Sequence, residues 1–238
     1  GIEAGKNIFV EKPMALTLED IAQIEEAYLK SVDKGIRLRF MVGFNRRFAP
    51  LTLKLKNLID NRKGPKCLIY TVNAGSLPTG HWMADMAISG GRIIGEMCHF
   101  IDLARHFARS KITSVQASAA RNSNKTSDDI TANIHFEGGS LATIAYTSLG
   151  DPGFPKERLE IFTGNTVLVL NNFKSLSVTA NGLTKNHSNS NQDKGFKGEL
   201  LAFTEAVSAG GPAKIETNDR TRRRSKIFCR IIFRTIQN

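Results

Sequence analysis

The opening of the chain restricts its fold more than any other stretch. Lys6-Asn7-Ile8-Phe9-Val10 is a short β-prone run that stops at Glu11-Lys12-Pro13. Thr17 then opens a helix, and Asp20 stands at the fourth place of an acidic capping box. Ile21, Ile24, Tyr28 and Val32 recur at helical spacing, Gly35 closes the segment, and Leu38, Phe40 and Val42 alternate into a second strand. Strand, helix and strand in so short a span, with strands too apolar for a half-exposed sheet, predict a βαβ unit of a parallel sheet. So small a unit is only the remnant of a doubly wound domain. The chain begins at Gly1 without Met, already close to a strand, so upstream sequence is expected to be missing.

The texture changes further on. Pro50 suits a first helical position, Leu51, Leu55, Leu58 and Ile59 mark the helix, and Gly64-Pro65 ends it. Beyond Gly64 apolar residues alternate at Leu68, Tyr70 and Val72, then at Ile130, Ala132, Ile134 and Phe136. Gly138-Gly139 turns into a strand from Leu141 to Tyr146, and Gly164-Asn165 and Asn181-Gly182 look like further hairpin turns. Asn186 to Gln192 reads as a polar surface loop. The expected fold class is α+β, with a βαβ unit over residues 1–48 and an α+β domain with a largely antiparallel, open-faced sheet over 49–238.

Composition narrows the class. The 238 residues are 41% hydrophobic and 23% charged, which excludes collagen-like, disulfide-scaffold and wholly disordered chains. No run is long and apolar enough for a membrane span, and the N-terminus has no secretory pattern. Cys67, Cys98 and Cys229 are far apart and read as reduced thiols of a cytoplasmic protein. The net charge is +11, but residues 220–238 hold seven bases and no acid, which leaves residues 1–219 at +4. The basic character belongs to a tail, so nucleic acid is not the expected partner of the fold. Within that tail Ile227, Phe228, Ile231, Ile232 and Ile236 form a helical apolar stripe, expected to pack back on the fold.

Candidate chemistry concentrates after Gly90-Gly91. Ile93, Met97, Phe100, Ile101, Ala104 and Phe107 make one helix face, while Arg92, Glu96, His99, Asp102 and His106 run along another at spacings of three and four. Acid, imidazole and acid on one stripe can orient a general base; the plainer reading is that His99 only hydrogen-bonds Glu96 or Asp102. Gly95 costs about 1 kcal/mol against Ala in a helix and predicts a close approach there. Glu11-Lys12-Pro13 sits at a strand's carboxyl end, where open parallel sheets bind ligands. His81, Trp82 and Asp85, just before the helix, are placed at a pocket wall, with a packing role equally open to Trp82. Arg46 and Arg47 can meet a phosphate or sugar, or a carboxylate. His135 and His187 read as surface residues, and no metal site is expected.

Three motifs together carry a resemblance. Val10-Glu11-Lys12-Pro13 resembles the E-K-P motif of the glucose–fructose oxidoreductase/inositol dehydrogenase/MocA (Gfo/Idh/MocA) family, and Val42-Gly43-Phe44-Asn45-Arg46-Arg47-Phe48 resembles its following strand. Gly90-Gly91, then His99-Phe100-Ile101-Asp102, resembles its G-G…H-x-x-D helix. The resemblance implies a Rossmann domain for NAD or NADP, then a domain for a sugar, inositol or nucleotide-sugar alcohol, with hydride transfer between the two. It assigns Lys12 to the reacting hydroxyl and His99 to general acid–base catalysis. Glu11, Lys12 and Pro13 go to the nicotinamide end of the cofactor site. Asp102 goes to the substrate side, joined there by His81, Trp82 and Arg46. A homo-oligomer formed through the sheet face is also expected.

Two departures qualify the resemblance. Many members carry an aspartate four residues before the histidine, where this chain has Gly95; Glu96 is expected to substitute for it as a catalytic group. No G-x-G-x-x-G occurs, so the turn that holds a pyrophosphate is absent and this chain alone is expected to bind the dinucleotide weakly. The competing reading is a non-catalytic fragment or interaction module that self-associates through its sheet and offers its basic tail to an acidic partner.

Overall fold

The computed structural model describes residues 1–78, 80–120 and 128–209. In chain order the first elements are β1 (Ile8–Val10), α1 (Leu18–Asp33), β2 (Phe40–Val42) and α2 (Pro50–Asp60). Next come β3 (Cys67–Asn73), α3 (Met86–Ser89), α4 (Cys98–Ala108), β4 (Ile112–Ala119), β5 (Ile130–Phe136) and β6 (Leu141–Thr147). The last are β7 (Glu157–Thr163), β8 (Thr166–Asn171), β9 (Ser175–Ala180), β10 (Leu183–Ser188) and α5 (Phe196–Ser208). The chain forms two compact units, one of residues 1–45 with the segment from Phe196 on, the other Arg46–Gly195.

The first unit is the expected strand–helix–strand. β1 and β2 pair in parallel, Ile8 opposite Phe40 and Val10 opposite Val42. Thr17 caps α1: its hydroxyl oxygen accepts from the Asp20 backbone N–H at 3.1 Å and its hydroxyl donates to the Asp20 carboxylate at 2.6 Å. Gly35, at φ 75°, ends the helix in the left-handed region that glycine tolerates. The division falls after Asn45, near the expected boundary at 48, but α5 joins the first unit. The Phe203 ring meets Phe9 edge-on at 5.6 Å, and Arg39 Nε donates to the Ala206 carbonyl at 3.3 Å. Ile8, Phe9 and Val10 are only half-buried, so the strands are less covered than their composition predicts.

The second unit is built on an eight-stranded sheet in the order β10-β9-β8-β7-β3-β6-β5-β4. Every pair is antiparallel except β3 with β6. Period-two alternation buries Leu68, Tyr70, Val72, Ile134, Ile144, Tyr146, Leu159, Ile161 and Leu168 on one face. α4 packs on β6, and α2 packs on β8 and β9. The other face is open, as expected, and exposes Ile69, Leu141 and Phe162, with exposed Cys67 in register between Leu141 and Phe162. Pro50 is the first residue of α2. Gly164-Asn165 (φ 51° and 54°) and Asn181-Gly182 (φ 51° and 75°) make two-residue hairpin turns with both φ positive, as strand twist demands.

Two readings change. Asn186, His187 and Ser188 are not loop but the end of β10, an edge strand whose polar composition keeps it from pairing further. β4 carries so little apolar alternation (ITSVQASA) that nothing in its composition announces a strand. No helix among the described residues is long and apolar enough to cross a membrane. Cys229 and the Arg-rich segment 220–238 lie outside the described residues.

Candidate functional site

The helix that carries His99 is entered through an unusual path. Gly90 and Gly91 have φ of 70° and 81°, and the Ser89 hydroxyl ties the corner by sharing its one proton between the Met83 and Asp85 carbonyls and accepting from Gly91 N–H. Residues Ile93–Met97 then form a turn of π-helix that runs directly into α4. Such turns widen the helix and are frequent at functional sites. Gly95 lies within this turn, and a Cβ there would meet only the Ser89 carbonyl oxygen, at 3.8 Å. The close approach expected at Gly95 is therefore not found; the glycine belongs to the π turn.

The apolar face of α4 is buried as its spacing predicts, with Phe100, Ala104 and Phe107 fully covered. The polar stripe is buried too: Arg92, His99 and Asp102 are 4%, 6% and 3% exposed. A solvated charged face would need no partners; a buried one must have them. Those of Arg92 and Asp102 include groups far along the chain, beside the i,i+4 ion pair of Arg92 with Glu96. Asp102 receives both nitrogens of a bidentate pair from Arg47, Nε at 2.6 Å and Nη2 at 2.5 Å. Each of its two carboxylate oxygens thus accepts one hydrogen bond from Arg47. Arg92 donates to the carbonyls of Ala74 and Gly75 at 2.7 and 2.6 Å, fixing the chain as it leaves β3.

Glu96 is the centre of the stripe. Lys156 Nζ donates to one oxygen at 2.8 Å, the Tyr146 hydroxyl to the other at 2.5 Å, and Arg92 Nε lies 3.5 Å from the latter. Burial alone would raise this carboxyl; the hydrogen bonds from Lys156 and Tyr146, with the charges of Lys156 and Arg92, outweigh it and hold Glu96 below the usual carboxylate range. Burial and the Glu96 charge push the Tyr146 hydroxyl well above that of a free tyrosine, so it stays a donor. Glu96 is therefore favoured as an anion, with a lysine and a tyrosine fastened to its two oxygens. Tyr146 and Lys156 were missed in the sequence, where Tyr146 is one inward position of an alternating strand and Lys156 one loop lysine among many.

Arg46 is buried against a carboxylate, the second of the two options its position left open. It is 5% exposed, and its Nε and Nη2 donate to the two oxygens of Glu157 at 2.8 and 2.7 Å. Lys194 Nζ and the Tyr70 hydroxyl complete the shell of the same carboxylate at 2.8 and 2.7 Å. Burial would raise Glu157, but the Arg46 hydrogen bonds and charge and the Lys194 contact bring it down to about 2. Arg46 and Arg47, adjacent in sequence, thus serve two different carboxylates.

The loop before α4 keeps its aromatic pair accessible. His81 Nδ1 accepts from Met83 N–H at 3.2 Å and so caps the short turn Trp82–Ala84, and its ring stacks on Trp82 at 5.8 Å. Trp82 is 58% exposed, so it is not a packing anchor. His135 stands on the open face of β5, and His187 Nδ1 meets Lys54 Nζ at the surface, 3.0 Å away. Among the described residues no group of three or more His, Cys, Asp or Glu could hold a metal ion. In the first unit Lys12 occupies the turn after β1, half-buried. Its neighbour Glu11 reaches the end of β2, where a Cβ on Gly43 would lie 3.0 Å from the Glu11 carboxylate.

Residues 53–167, from α2 into β8 and including the whole His99 helix, match the model of the GFO/IDH/MocA C-terminal domain. That stretch of the chain is similar to the C-terminal domain of the Gfo/Idh/MocA family. Among the chain's relatives are the uncharacterized oxidoreductase YrbE of Bacillus subtilis, 27% identical over 91% of this chain and 65% of that protein, and the inositol 2-dehydrogenase of Rhizobium meliloti, 25% identical over 91% and 67%. The scyllo-inositol 2-dehydrogenase (NAD(+)) of Bacillus subtilis is 36% identical over 48% of the chain and 31% of that enzyme. The chain spans about two thirds of the length of the two relatives it matches over most of its own length. The aldose-aldose oxidoreductase of Caulobacter crescentus, at 19% identity, shares the fold with a TM-score of 0.77 over 99% of this chain and 71% of that one.

The turn at Glu11-Lys12-Pro13 offers an ammonium at a strand's carboxyl end, but no glycine-rich strand-to-helix turn for a pyrophosphate is among the described residues.

Proposed function

We propose that this chain carries the substrate side of an oxidoreductase that moves a hydride between NAD or NADP and a secondary alcohol of a sugar, inositol or nucleotide-sugar. The observation that carries the reading is the buried polar stripe of α4: His99 stands on a helix whose charged neighbours are each fixed by a long-range partner. Such fixing supplies the rigid surroundings that a proton-transfer group requires. The relatives' names, inositol dehydrogenases among them, support the substrate class.

His99 accepts the hydroxyl proton as the carbinol is oxidised and returns it in the reverse direction, a task suited to an imidazole whose ordinary pKa lies near neutrality. Lys12 supplies an ammonium for the developing alkoxide. Glu96 does not move a proton; it stays ionised and holds its partners. His81 and Trp82 present a stacked, accessible surface to the apolar face of a ring. The dinucleotide, when bound, supplies the hydride acceptor. Glu11, Lys12 and Pro13 are proposed to border its nicotinamide end, and this chain alone binds it weakly. The open face of the large sheet is proposed to meet a second copy through Ile69, Leu141 and Phe162. The test of function is dinucleotide-linked oxidation of inositol by the protein that contains this chain joined to a nucleotide-binding half. Turnover that His99→Asn and Lys12→Met leave unchanged would remove the assignment.

A further inference from the structure

β3 and β6 are the one parallel pair of the eight-stranded sheet, so their carboxyl ends lie side by side, tied by Ala74 N–H donating to the Thr147 carbonyl at 2.7 Å. Carboxyl ends of parallel strands are where ligands commonly bind. Lys156 is anchored at this end through its carbonyl, which accepts from Asn73 N–H at 2.8 Å. Its side chain is 37% exposed, and among the described residues its ammonium has a single hydrogen-bond partner, Glu96. An exposed lysine ordinarily samples many rotamers. This one is fastened to a carboxylate that Tyr146 and Arg92 immobilise from behind.

We propose that Lys156 is a substrate-binding residue that donates to hydroxyl oxygens of a polyol, and that Glu96 is its positioning residue. This rests on the oxidoreductase reading for the nature of the substrate. An ammonium carries three N–H donors in a tetrahedral arrangement. Glu96 occupies one, which leaves two directed away from that carboxylate, a geometry suited to neighbouring hydroxyls. Because Glu96 neutralises the ammonium locally, the site gives little reward to an anion, and a neutral polyhydroxylated ring is the chemistry that fits. Tyr146 acts through Glu96: without its hydroxyl the carboxylate loses a fixed donor and Lys156 its orientation.

The test uses inositol as the probe and the present chain as the protein, with binding read by NMR chemical-shift perturbation. Wild type should bind, Lys156→Met should weaken the dissociation constant by about tenfold or more, Lys156→Arg should stay within about threefold, and Glu96→Gln should fall between them. A structural role alone would shift unfolding midpoints and leave affinity untouched. Equal affinity of wild type and Lys156→Met overturns the proposal, as does absence of inositol binding by the wild-type chain. If Lys156→Met loses affinity but no dinucleotide-linked turnover appears in the longer protein, the binding role stands and only the oxidoreductase reading falls.

Discussion

The Tyr146 hydroxyl donates to Glu96 at 2.5 Å, joining the end of β6 to the π turn that precedes α4. The contact contributes to the ionisation of both groups: with the Lys156 hydrogen bond it helps hold Glu96 below its ordinary range against burial, and it adds to the burial that raises Tyr146. Tyr146→Phe should therefore raise the Glu96 carboxyl and cost about 1–3 kcal/mol, the penalty for leaving a buried acceptor short of one donor. Carboxyl carbon shifts across a pH titration, with urea unfolding, check both.

The Glu157 carboxylate is the second electrostatic anchor. Its folded pKa of about 2 lies below the ordinary 4.5, so the stability it contributes is complete above pH 4.5 and is lost as pH falls from there toward 2. Glu157→Gln leaves Arg46 buried beside a neutral amide and should cost about 3–5 kcal/mol at pH 7. It should also flatten the acid limb of the stability curve. Chemical unfolding at a series of pH values reads both effects.

Glu199 behaves in the opposite sense. It is 2% exposed on α5, its Oε2 has no hydrogen-bond partner among the described residues, and burial together with the nearby Glu11 charge raises it to about 7. Its folded form holds the proton more tightly, so the contribution is full below pH 4.5 and is lost as pH rises through 7. Glu199→Gln should stabilise the protein by about 2 kcal/mol at pH 8 and by almost nothing at pH 4. Thermal unfolding at the two pH values distinguishes this from a general packing effect, which would appear at both.

The open sheet face gives a concentration-dependent prediction. Ile69, Leu141 and Phe162 are 41%, 44% and 38% exposed in neighbouring strands. If this face meets a second copy, Leu141→Lys together with Phe162→Lys should shift sedimentation to the monomer without unfolding the sheet. An unchanged sedimentation coefficient would remove the self-association proposal.

What the sequence revealed was local. The Thr17–Asp20 cap, Pro50 at the start of α2, and the Gly164-Asn165 and Asn181-Gly182 turns each depend on residues within four positions, and each is found. The covered face of α4 also follows from spacing alone. The partners of its polar stripe do not, because they are set by how β3, β6 and β7 come together. Nothing local makes Arg46 seek Glu157 while Arg47 seeks Asp102, and nothing marks Lys156 among the loop lysines. The end of β10, Asn186 to Ser188, has the composition of a loop because an edge strand can remain polar on both faces. Order along the chain places residues 196–209 with the second domain, whereas Phe203 of α5 packs on Phe9 of the first unit.

In the proposed reaction His99 moves the proton and Lys12 steadies the oxygen during oxidation of a polyol carbinol. The most direct measurement is kcat/KM for dinucleotide-linked inositol oxidation, followed by nicotinamide absorbance, in the protein that contains this chain and a nucleotide-binding half. The account predicts a loss of about 10²–10⁴ for His99→Asn, with the loss of the pH dependence that its imidazole imposes, and a comparable loss for Lys12→Met. Wild-type efficiency and an unaltered pH profile in both variants would contradict it.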